Sequence, residues 1–253
     1  MVFDLQRAGT WKRMAAWLFD SIITGILAVG IGFLLSLLLG YDSYSETVDA
    51  AYAKYEAEYG MVFEISQSEY EAMTETEKQN YEAAYQALTA DTEAMYAYNM
   101  MLNLSLLIIS LGILTAILVW EFLLPLRFGN GQTLGKKIFG LCLISNDGVR
   151  VNSMQLFVRS LLGKFTIETM IPVYIVMMVF WGTMGLTGTV ILLGIFVAQL
   201  CCVGISRNRT AIHDLLVGTI VVDYASQMIF PSTEQLIAYQ KQVAAENAAR
   251  QSY

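Results

Sequence analysis

The sequence predicts an all-α membrane protein with four transmembrane helices, a helical extracellular insertion and a small cytoplasmic β-hairpin or sheet. Of its 253 residues, 56% are hydrophobic and 15% are charged, whereas about 25% of an ordinary soluble domain is charged. Four apolar runs each reach the roughly 20 residues that cross a bilayer as a helix. The acidic residues concentrate in one segment between the first two runs. Together these observations exclude an ordinary soluble domain.

The four predicted spans cover residues 14–40, 101–126, 161–181 and 186–205. Asp20 interrupts the first run and Glu121 the second. The third run is the weakest, because Lys164 and Glu168 lie near its start. The first run is too long for a cleaved signal peptide and no small-residue cleavage site follows it, so we interpret it as a span that stays in the chain.

The distribution of charge predicts the orientation in the membrane. Residues 41–99, called the acidic insertion below, hold 13 acidic and two basic residues, a net charge of −11, and the rest of the chain carries +4. Basic residues cluster before the first span, between the second and third spans, and after the fourth. Since cytoplasmic loops are enriched in Lys and Arg, we expect a multi-pass cell-membrane protein with both termini in the cytoplasm and the insertion outside. The net charge of −7 argues against a nucleic-acid partner.

The acidic insertion has the pattern of packed helices. Ser43 with Glu46 and Thr74 with Glu77 have the spacing of capping boxes, and Gly60 marks a helix end. Ten of the 14 Tyr residues lie here. Two interpretations stay open: a helical pair that packs on Tyr faces beneath a solvated charged surface, or an acidic surface that attracts cations or a partner.

The cytoplasmic segments predict a small sheet. Residues 127–160 contain two strand-like stretches, Ile138–Ser145 and Val149–Asn152, on either side of an Asn-Asp-Gly turn. Gly218–Asp223 is a third strand candidate that could pair with this hairpin. Residues 224–253 have the pattern of a helical tail.

Gly129–Lys137 is rich in Gly and Lys, but its spacing is not that of a phosphate-binding loop. Asn130 stands where that motif needs a Gly, and Lys137 stands where Ser or Thr would hold magnesium. Lys136 and Lys137 are instead expected to face anionic lipid headgroups. Three Cys and the single His213 fit neither a disulfide framework nor a His-rich metal site, so we expect no metal and no cofactor.

Charged residues in or near the spans are the candidate site residues, since each is costly in a membrane. One interpretation is a set of structural ion pairs, in which the cations Arg13, Lys164 and Arg159 neutralise the carboxylates of the first three spans. The other is a proton or cation relay, because burial raises the pKa of a carboxylate and a nearby cation lowers it again. The carboxylates in question are Asp20, Glu121 and Glu168.

The adjacent residues His213 and Asp214 also have two interpretations. They are either a pair at a helix start that bonds to Arg207 or Arg209, or a proton acceptor at the cytoplasmic mouth of a pathway, since His titrates near neutral pH.

Three collinear blocks of the sequence, Ala8–Asp20, Gly131–Gly148 and Arg209–Val222, together resemble the RDD family of bacterial membrane proteins. The resemblance covers roughly residues 8–222. The family is named for one Arg and two Asp, and the matching positions here are Arg13, Asp20 and Asp214. The resemblance implies an integral membrane protein that transports ligands, and sodium/proton exchange has been proposed for some members. The long acidic insertion departs from the short first loop that is usual in the family.

We therefore expect a small transporter, in which the resemblance implies exchange of a monovalent cation for protons. Asp20 is expected to bind the ion with Arg13 as its charge partner, and Asp214 to lie at the cytoplasmic gate. The transport candidates are Arg13, Asp20 and Asp214, with supporting roles for Glu121, Lys164, Glu168 and His213. Since four spans form only a thin wall, we expect a homo-oligomer in the lipid bilayer.

The alternative function is a non-transporting membrane adaptor or scaffold, in which the charged residues are structural ion pairs. We do not expect an enzyme, because the sequence contains no nucleophile elbow, zinc-protease motif, phosphate-binding loop or kinase motif set.

Overall fold

The computed structural model describes residues 6–181, 185–205 and 211–251. The chain divides into two compact units, which we describe separately. The larger unit comprises Met1–Val29 and Ile113–Tyr253, and the insertion unit comprises Gly30–Gly112.

The described chain is mostly helical, as the sequence predicts. Its α-helices are α1 (Thr10–Leu38), α2 (Tyr41–Tyr59), α3 (Gln67–Ala72), α4 (Glu75–Ala90), α5 (Thr92–Ile117), α6 (Leu124–Phe128), α7 (Leu134–Ile138), α8 (Ser153–Val158), α9 (Ile171–Trp181), α10 (Gly185–Ile205), α11 (Ile212–Val217) and α12 (Thr233–Gln251). Two further segments are π-helical, π1 (Leu118–Leu123) and π2 (Arg159–Glu168).

Two continuous helices in the described residues are long and apolar enough to cross a membrane. They are α1 and the stretch Thr92–Phe128, which joins α5, π1 and α6. The predicted third span is instead divided between π2 and α9. Because α9 has 11 residues, it is about 16 Å long, shorter than the roughly 30 Å hydrocarbon core. Helix α10 has nearly the bounds of the predicted fourth span, and spans three and four stay predictions.

The interruption of the third apolar run lies at Met170. This buried residue has a φ of 58°, a left-handed conformation that costs a residue with a side chain on the order of 1–3 kcal/mol. Pro172 follows in the first turn of α9, where its missing N–H removes no helical hydrogen bond. The amide of Ile171 donates to the Thr169 hydroxyl at 3.3 Å, so the new helix begins with a capped N–H.

The sheet has two strands, β1 (Leu141–Ser145) and β2 (Thr219–Asp223), which pair antiparallel with Leu143 opposite Val221. The predicted pairing with the third strand candidate is therefore confirmed. The predicted hairpin is not: its second arm forms no strand and meets β1 in a single isolated bridge, between Ile144 and Arg150. The apolar strand β2 pairs along the whole of β1 instead.

Both faces of this sheet are buried. On one face Leu141, Leu143 and Val221 pack with Leu156 of α8. The other face holds four buried side chains, Cys142, Ile144, Ile220 and Val222. A strand alternates its side chains between faces, so apolar residues at consecutive positions require cover on both sides. The sheet is therefore a small core to which the surrounding helices attach.

The insertion unit packs α2 against α4 over a small apolar core. Ala51, Tyr55, Leu88 and Ala94 are buried together. Around them the rings of Tyr52, Phe63, Tyr70 and Tyr81 contact one another edge to face. This arrangement agrees with the interpretation of a Tyr-packed helical pair.

Three of the predicted helix signals of the insertion unit can be compared with the structure. Thr74 and Glu77 form a reciprocal capping box at the start of α4, and Gly60 ends α2 with a φ of 62°. The prediction for Ser43 and Glu46 is wrong, because both residues lie inside α2, which begins after Gly40 in a left-handed conformation.

The predicted helical tail is α12. The Ser232 hydroxyl accepts a hydrogen bond from the amide of Gln235 at 3.4 Å, which satisfies one amide of its first turn. Leu236 is buried, and the ring of Tyr239 packs on Phe230 with a centroid distance of 5.3 Å.

Candidate functional site

The candidate site is a group of seven buried or half-buried ionisable residues in the larger unit, which we call the ion network. Its members are Glu121, Lys136, Arg159, Lys164, Glu168, His213 and Asp214. They come from π1, α7, π2 and α11, so segments that are distant in the sequence meet here.

The π-helical geometry of π2 places its charges toward one neighbour. A π-helix bonds each N–H to the carbonyl five residues earlier, as the amide of Thr169 does to Lys164 at 3.1 Å. Residues five apart therefore lie near the same face, and Arg159 and Lys164 have this spacing. Both of them contact Glu121, which π1 carries.

Glu121 is the most heavily paired carboxylate of the ion network. Its side chain is only 3% exposed and receives three cations. Lys136 Nζ lies 3.4 Å and Arg159 Nη1 3.0 Å from Oε2, and Lys164 Nζ donates to Oε1. Because an isolated buried carboxylate is very costly, this pairing is what permits its burial.

Arg159 lies at the centre of the ion network, with 2% of its side chain exposed. Besides Nη1 to Glu121, its Nε donates to Asp214 Oδ1 at 2.8 Å, and its Nη2 lies 2.9 Å from His213 Nε2. The carboxylates of Glu121 and Asp214 compensate the burial of this guanidinium, which does not lose its proton in proteins. Arg159 is therefore a permanent cation that joins Glu121, His213 and Asp214.

The contacts of His213 determine its tautomer. The guanidinium of Arg159 can only donate hydrogen bonds, so His213 Nε2 must accept. The proton of the neutral ring is then on Nδ1, where it is donated to Glu168 Oε1. We assign this tautomer from the donors and acceptors around the ring. Arg207 and Arg209, the partners that the sequence suggested for His213, lie outside the described residues.

Asp214 is held by two donors. Arg159 Nε, at 2.8 Å, and the Thr219 hydroxyl, at 3.0 Å, both donate to Oδ1, and His213 Nε2 lies 3.4 Å from Oδ2. Burial by itself raises the pKa of this carboxyl, but the guanidinium of Arg159 holds the pKa of Asp214 below its usual value. Asp214 is therefore ionised.

The close packing of α11 on π2 depends on Gly163. A Cβ at this position would lie 2.5 Å from Cβ of His213, closer than two carbon atoms can approach without displacement. The missing side chain lets the two segments approach until His213 reaches both Arg159 and Glu168.

Asp20 is held beside the ion network by neutral donors. Trp120 Nε1 and the amide of Gly135 both donate to Oδ1 at 2.9 Å, and the Thr133 hydroxyl donates to Oδ2. Asp20 is 4% exposed. A Cβ at Gly135 would lie 2.6 Å from the carbonyl oxygen of Ala16 and 2.8 Å from Asp20 Oδ2. Only a glycine fits between α1 and the start of α7.

Lys136 connects Asp20 to the ion network. Its amide donates to the Thr133 hydroxyl at 3.3 Å and its ammonium contacts Glu121. Burial lowers the pKa of Lys136 more than Glu121 raises it. Lys136 is buried, so the expectation that it faces lipid headgroups is wrong; only Lys137 is exposed.

The structure brings together most of the residues that the sequence selected. Glu121, Lys164, Glu168, His213 and Asp214 all belong to the ion network. Of the predicted ion pairing, Lys164 and Arg159 both contact the carboxylate of Glu121, whereas Glu168 contacts the imidazole of His213.

Arg13 is half-buried on α1 and is not among the described donors to Asp20. Sequence reasoning missed the roles of Trp120, Thr133 and Gly135. The Thr-Leu-Gly-Lys stretch that begins at Thr133 is a usable signal, since it lies in the block Gly131–Gly148 that carries the family resemblance.

Comparison with known proteins identifies the family. A family model described as RDD family matches residues 7–218. The Uncharacterized protein YckC of Bacillus subtilis (strain 168) is 28% identical over 129 residues, which cover 51% of this chain and 68% of that protein. No solved structure matches. Because the match covers most of the chain and all residues of the ion network, the chain belongs to the RDD family, whose members are membrane proteins.

Proposed function

We propose that this membrane protein is a small secondary transporter that exchanges a monovalent cation for protons through the ion network. The observation that carries the proposal is the position of His213 between a donor that cannot accept, Arg159, and a carboxylate, Glu168. A proton added to His213 alters its contact with Arg159, and a proton added to Glu168 alters its contact with His213. Proton uptake by either residue is therefore coupled to a change of contacts.

The proton step follows from the tautomer of His213. A proton added to Nε2 would face the Nη2 hydrogens of Arg159 at 2.9 Å, which is repulsive. The protonated ring then turns this N–H to Asp214 Oδ2, at present 3.4 Å away. A proton added to Glu168 at Oε2 instead leaves Oε1 as an uncharged and weaker acceptor of Nδ1–H. Protonation of Nε2 therefore separates His213 from Arg159, and protonation of Glu168 weakens its contact with His213.

The cation step uses the carboxylate of Glu121. Of the three cations that contact Glu121, Lys164 is the most exposed, at 14% of its side chain. A monovalent metal cation that replaces the Lys164 ammonium leaves the charge at Glu121 unchanged, so the exchange avoids the cost of an unpaired buried carboxylate. Lys164 is then released toward Glu168, four residues later on π2.

Asp20 and Arg13 have positioning roles in this proposal. The neutral donors around Asp20 fix the start of α7, and therefore the place of Lys136. The ion site that the sequence assigned to Asp20 thus moves to Glu121 and Glu168. The proposal retains a multi-pass homo-oligomer with cytoplasmic termini, and it requires neither a cofactor nor enzymatic chemistry.

Proton flux in proteoliposomes tests the proposal. We expect inward gradients of sodium, potassium or lithium to drive proton efflux from vesicles that contain the full chain, and Glu168→Gln to abolish it. Glu234→Gln, an exposed carboxylate at the start of α12, is the matched control and should retain full flux. Wild-type protein without flux under every cation, or a folded Glu168→Gln variant with full flux, would overturn the proposal.

A second candidate function is a non-transporting scaffold, which one observation favours. Within the described residues, every buried side-chain nitrogen and oxygen has a hydrogen-bond partner, as a purely structural network requires. A scaffold shows no cation-driven flux, and its Asp20→Asn and Glu168→Gln variants lose thermal stability. Retained stability together with lost flux in Glu168→Gln would favour the transporter.

A further inference from the structure

Three short elements of the larger unit, α8, π2 and α11, expose apolar side chains and expose no ionisable ones. Between Met154 and Glu168 the exposed side chains are those of Met154, Phe157 and Leu162, and each ionisable residue is buried or half-buried. The same holds for α11, where Leu215 and Leu216 are about half exposed beside two buried ionisable residues. A helix on the surface of a soluble protein has its charges outside and its apolar side chains inside.

This apolar surface continues onto a predicted membrane span. In π1, Val119 and Leu123 are exposed while Glu121 is buried. The ring of Phe122 in π1 contacts Phe157 in α8, with a centroid distance of 5.5 Å. Because π1 is part of the helical stretch Thr92–Phe128, long enough to cross a bilayer, the exposed apolar side chains of α8 border on the face that this span offers to lipid.

Exposed basic residues lie directly beyond this surface. Arg127 follows π1 on α6, and Lys137 is exposed on α7 with its ammonium 4.4 Å from the ring of Phe128. Apolar side chains next to Lys and Arg are typical of segments at a membrane interface, where acyl chains cover the former and headgroups meet the latter.

We propose that α8, π2 and α11 lie within the lipid leaflet on the side of the basic loops, with their exposed apolar side chains among the acyl chains. The occupant of this surface is lipid with anionic headgroups. Hydropathy misses α11 because its buried His213 and Asp214 lower the average, although they do not face lipid, and it misses α8 because six residues are too few for a span. The ion network would then be screened from water by lipid even outside the four apolar runs. This inference holds whether or not the protein transports ions.

Spin labels on α8 and α11 report directly whether their exposed positions lie in lipid or in water. Phe157→Cys and Leu216→Cys are labelled in full-length protein in which Cys201 and Cys202 are replaced by Ser. Cys142 remains, because its thiol is buried and burial raises its pKa to about 12, so it does not react with the label. Ala238→Cys, an exposed position on α12, is the control. The protein is reconstituted in vesicles of phosphatidylethanolamine and phosphatidylglycerol.

Collision rates with oxygen, which concentrates in lipid, are compared with those of a water-soluble nickel chelate. We expect the collision rate with oxygen to exceed the collision rate with the chelate severalfold at positions 157 and 216, and the reverse at position 238. Dominant chelate collisions at 157 or 216 would overturn the proposal. Spin–spin broadening at these positions that disappears on dilution with unlabelled protein would also overturn it, because a second copy of the chain would then cover the surface.

Discussion

The insertion unit and the ion network contain the same types of charged residue in opposite arrangements. The insertion unit buries Ala51, Tyr55 and Leu88, and most of its 13 acidic residues are exposed. The ion network is buried, and the exposed side chains around it are apolar. The difference teaches that composition does not decide which residues are buried. A charged side chain that faces water costs little free energy, whereas a charged side chain beside lipid must be buried and paired with an opposite charge.

The two regions also differ in how much one ion pair contributes to the free energy of unfolding. Lys54 and Asp91 of the insertion unit are 3.6 Å apart, with 60% of the Lys54 side chain exposed. Such pairs contribute little, because water and salt screen them. Arg159 and Asp214 are 2.8 Å apart and both 2% exposed. Removal of one partner there leaves an uncompensated buried charge.

The largest expected effect tests this contrast. Arg159→Met removes the cation that joins Glu121, His213 and Asp214, and should lower the free energy of unfolding by about 3–5 kcal/mol. Lys54→Met, which breaks the exposed pair of the insertion unit, should change it little. Thermal unfolding in detergent, followed by tryptophan fluorescence, compares the two variants. Equal losses would contradict the contrast between the two regions.

An intermediate effect is expected where Asp20 meets α7. Gly135→Ala would place a methyl group 2.6 Å from the Ala16 carbonyl oxygen, and overpacking of this kind costs about 1–3 kcal/mol. Gly25→Ala is the control, on the helix α1 that Gly135 approaches, since nothing lies within 4 Å of a Cβ at Gly25. The same unfolding measurement applies. If both variants were equally stable, the close contact at Gly135 would not exist in the folded protein.

The smallest effect concerns the insertion unit, where local helix signals rather than buried charges stabilise the fold. Thr74→Ala removes the cap of α4 and should cost about 1 kcal/mol. Ser43→Ala, with the same sequence spacing but inside α2, should cost nothing, because Ala is the better helix former. Hydrogen exchange at the Glu77 amide, which donates to the Thr74 hydroxyl, measures the first change. The Glu46 amide is the corresponding readout for Ser43→Ala, and faster exchange there would show that Ser43 also acts as a cap.

Sequence patterns predict the parts of this protein that depend on neighbours along the chain. The capping box at Thr74, the helix end at Gly60 and the strand-like pattern of Leu141–Ser145 and Thr219–Asp223 all follow from local signals. Ser43 shows the limit of this reasoning, since the same spacing inside a helix makes no cap. Gly40 decides between a cap and a helix interior, because its left-handed conformation lets α2 begin at Tyr41, before Ser43.

The sequence predicts which residues belong to the ion network, but not which of them contact one another. Glu121, Glu168 and Asp214 are recognisable because a charge near an apolar run is costly wherever the chain folds. Their partners depend on π-helical geometry and on the close approach at Gly163, and neither has a sequence signal of its own. For the same reason the interruption at Met170, an apolar residue in an apolar run, is invisible to hydropathy.

The contacts of Asp20 have a consequence for the order in which the chain is made. Gly135, whose amide binds this carboxylate, is synthesised 115 residues after Asp20, and Trp120 is synthesised 100 residues after it. A nascent chain that ends before Trp120 therefore carries α1 with neither donor to Asp20 Oδ1 in place. Helix α1 reaches its final environment only after the second long apolar helix and the loop beyond it have left the ribosome.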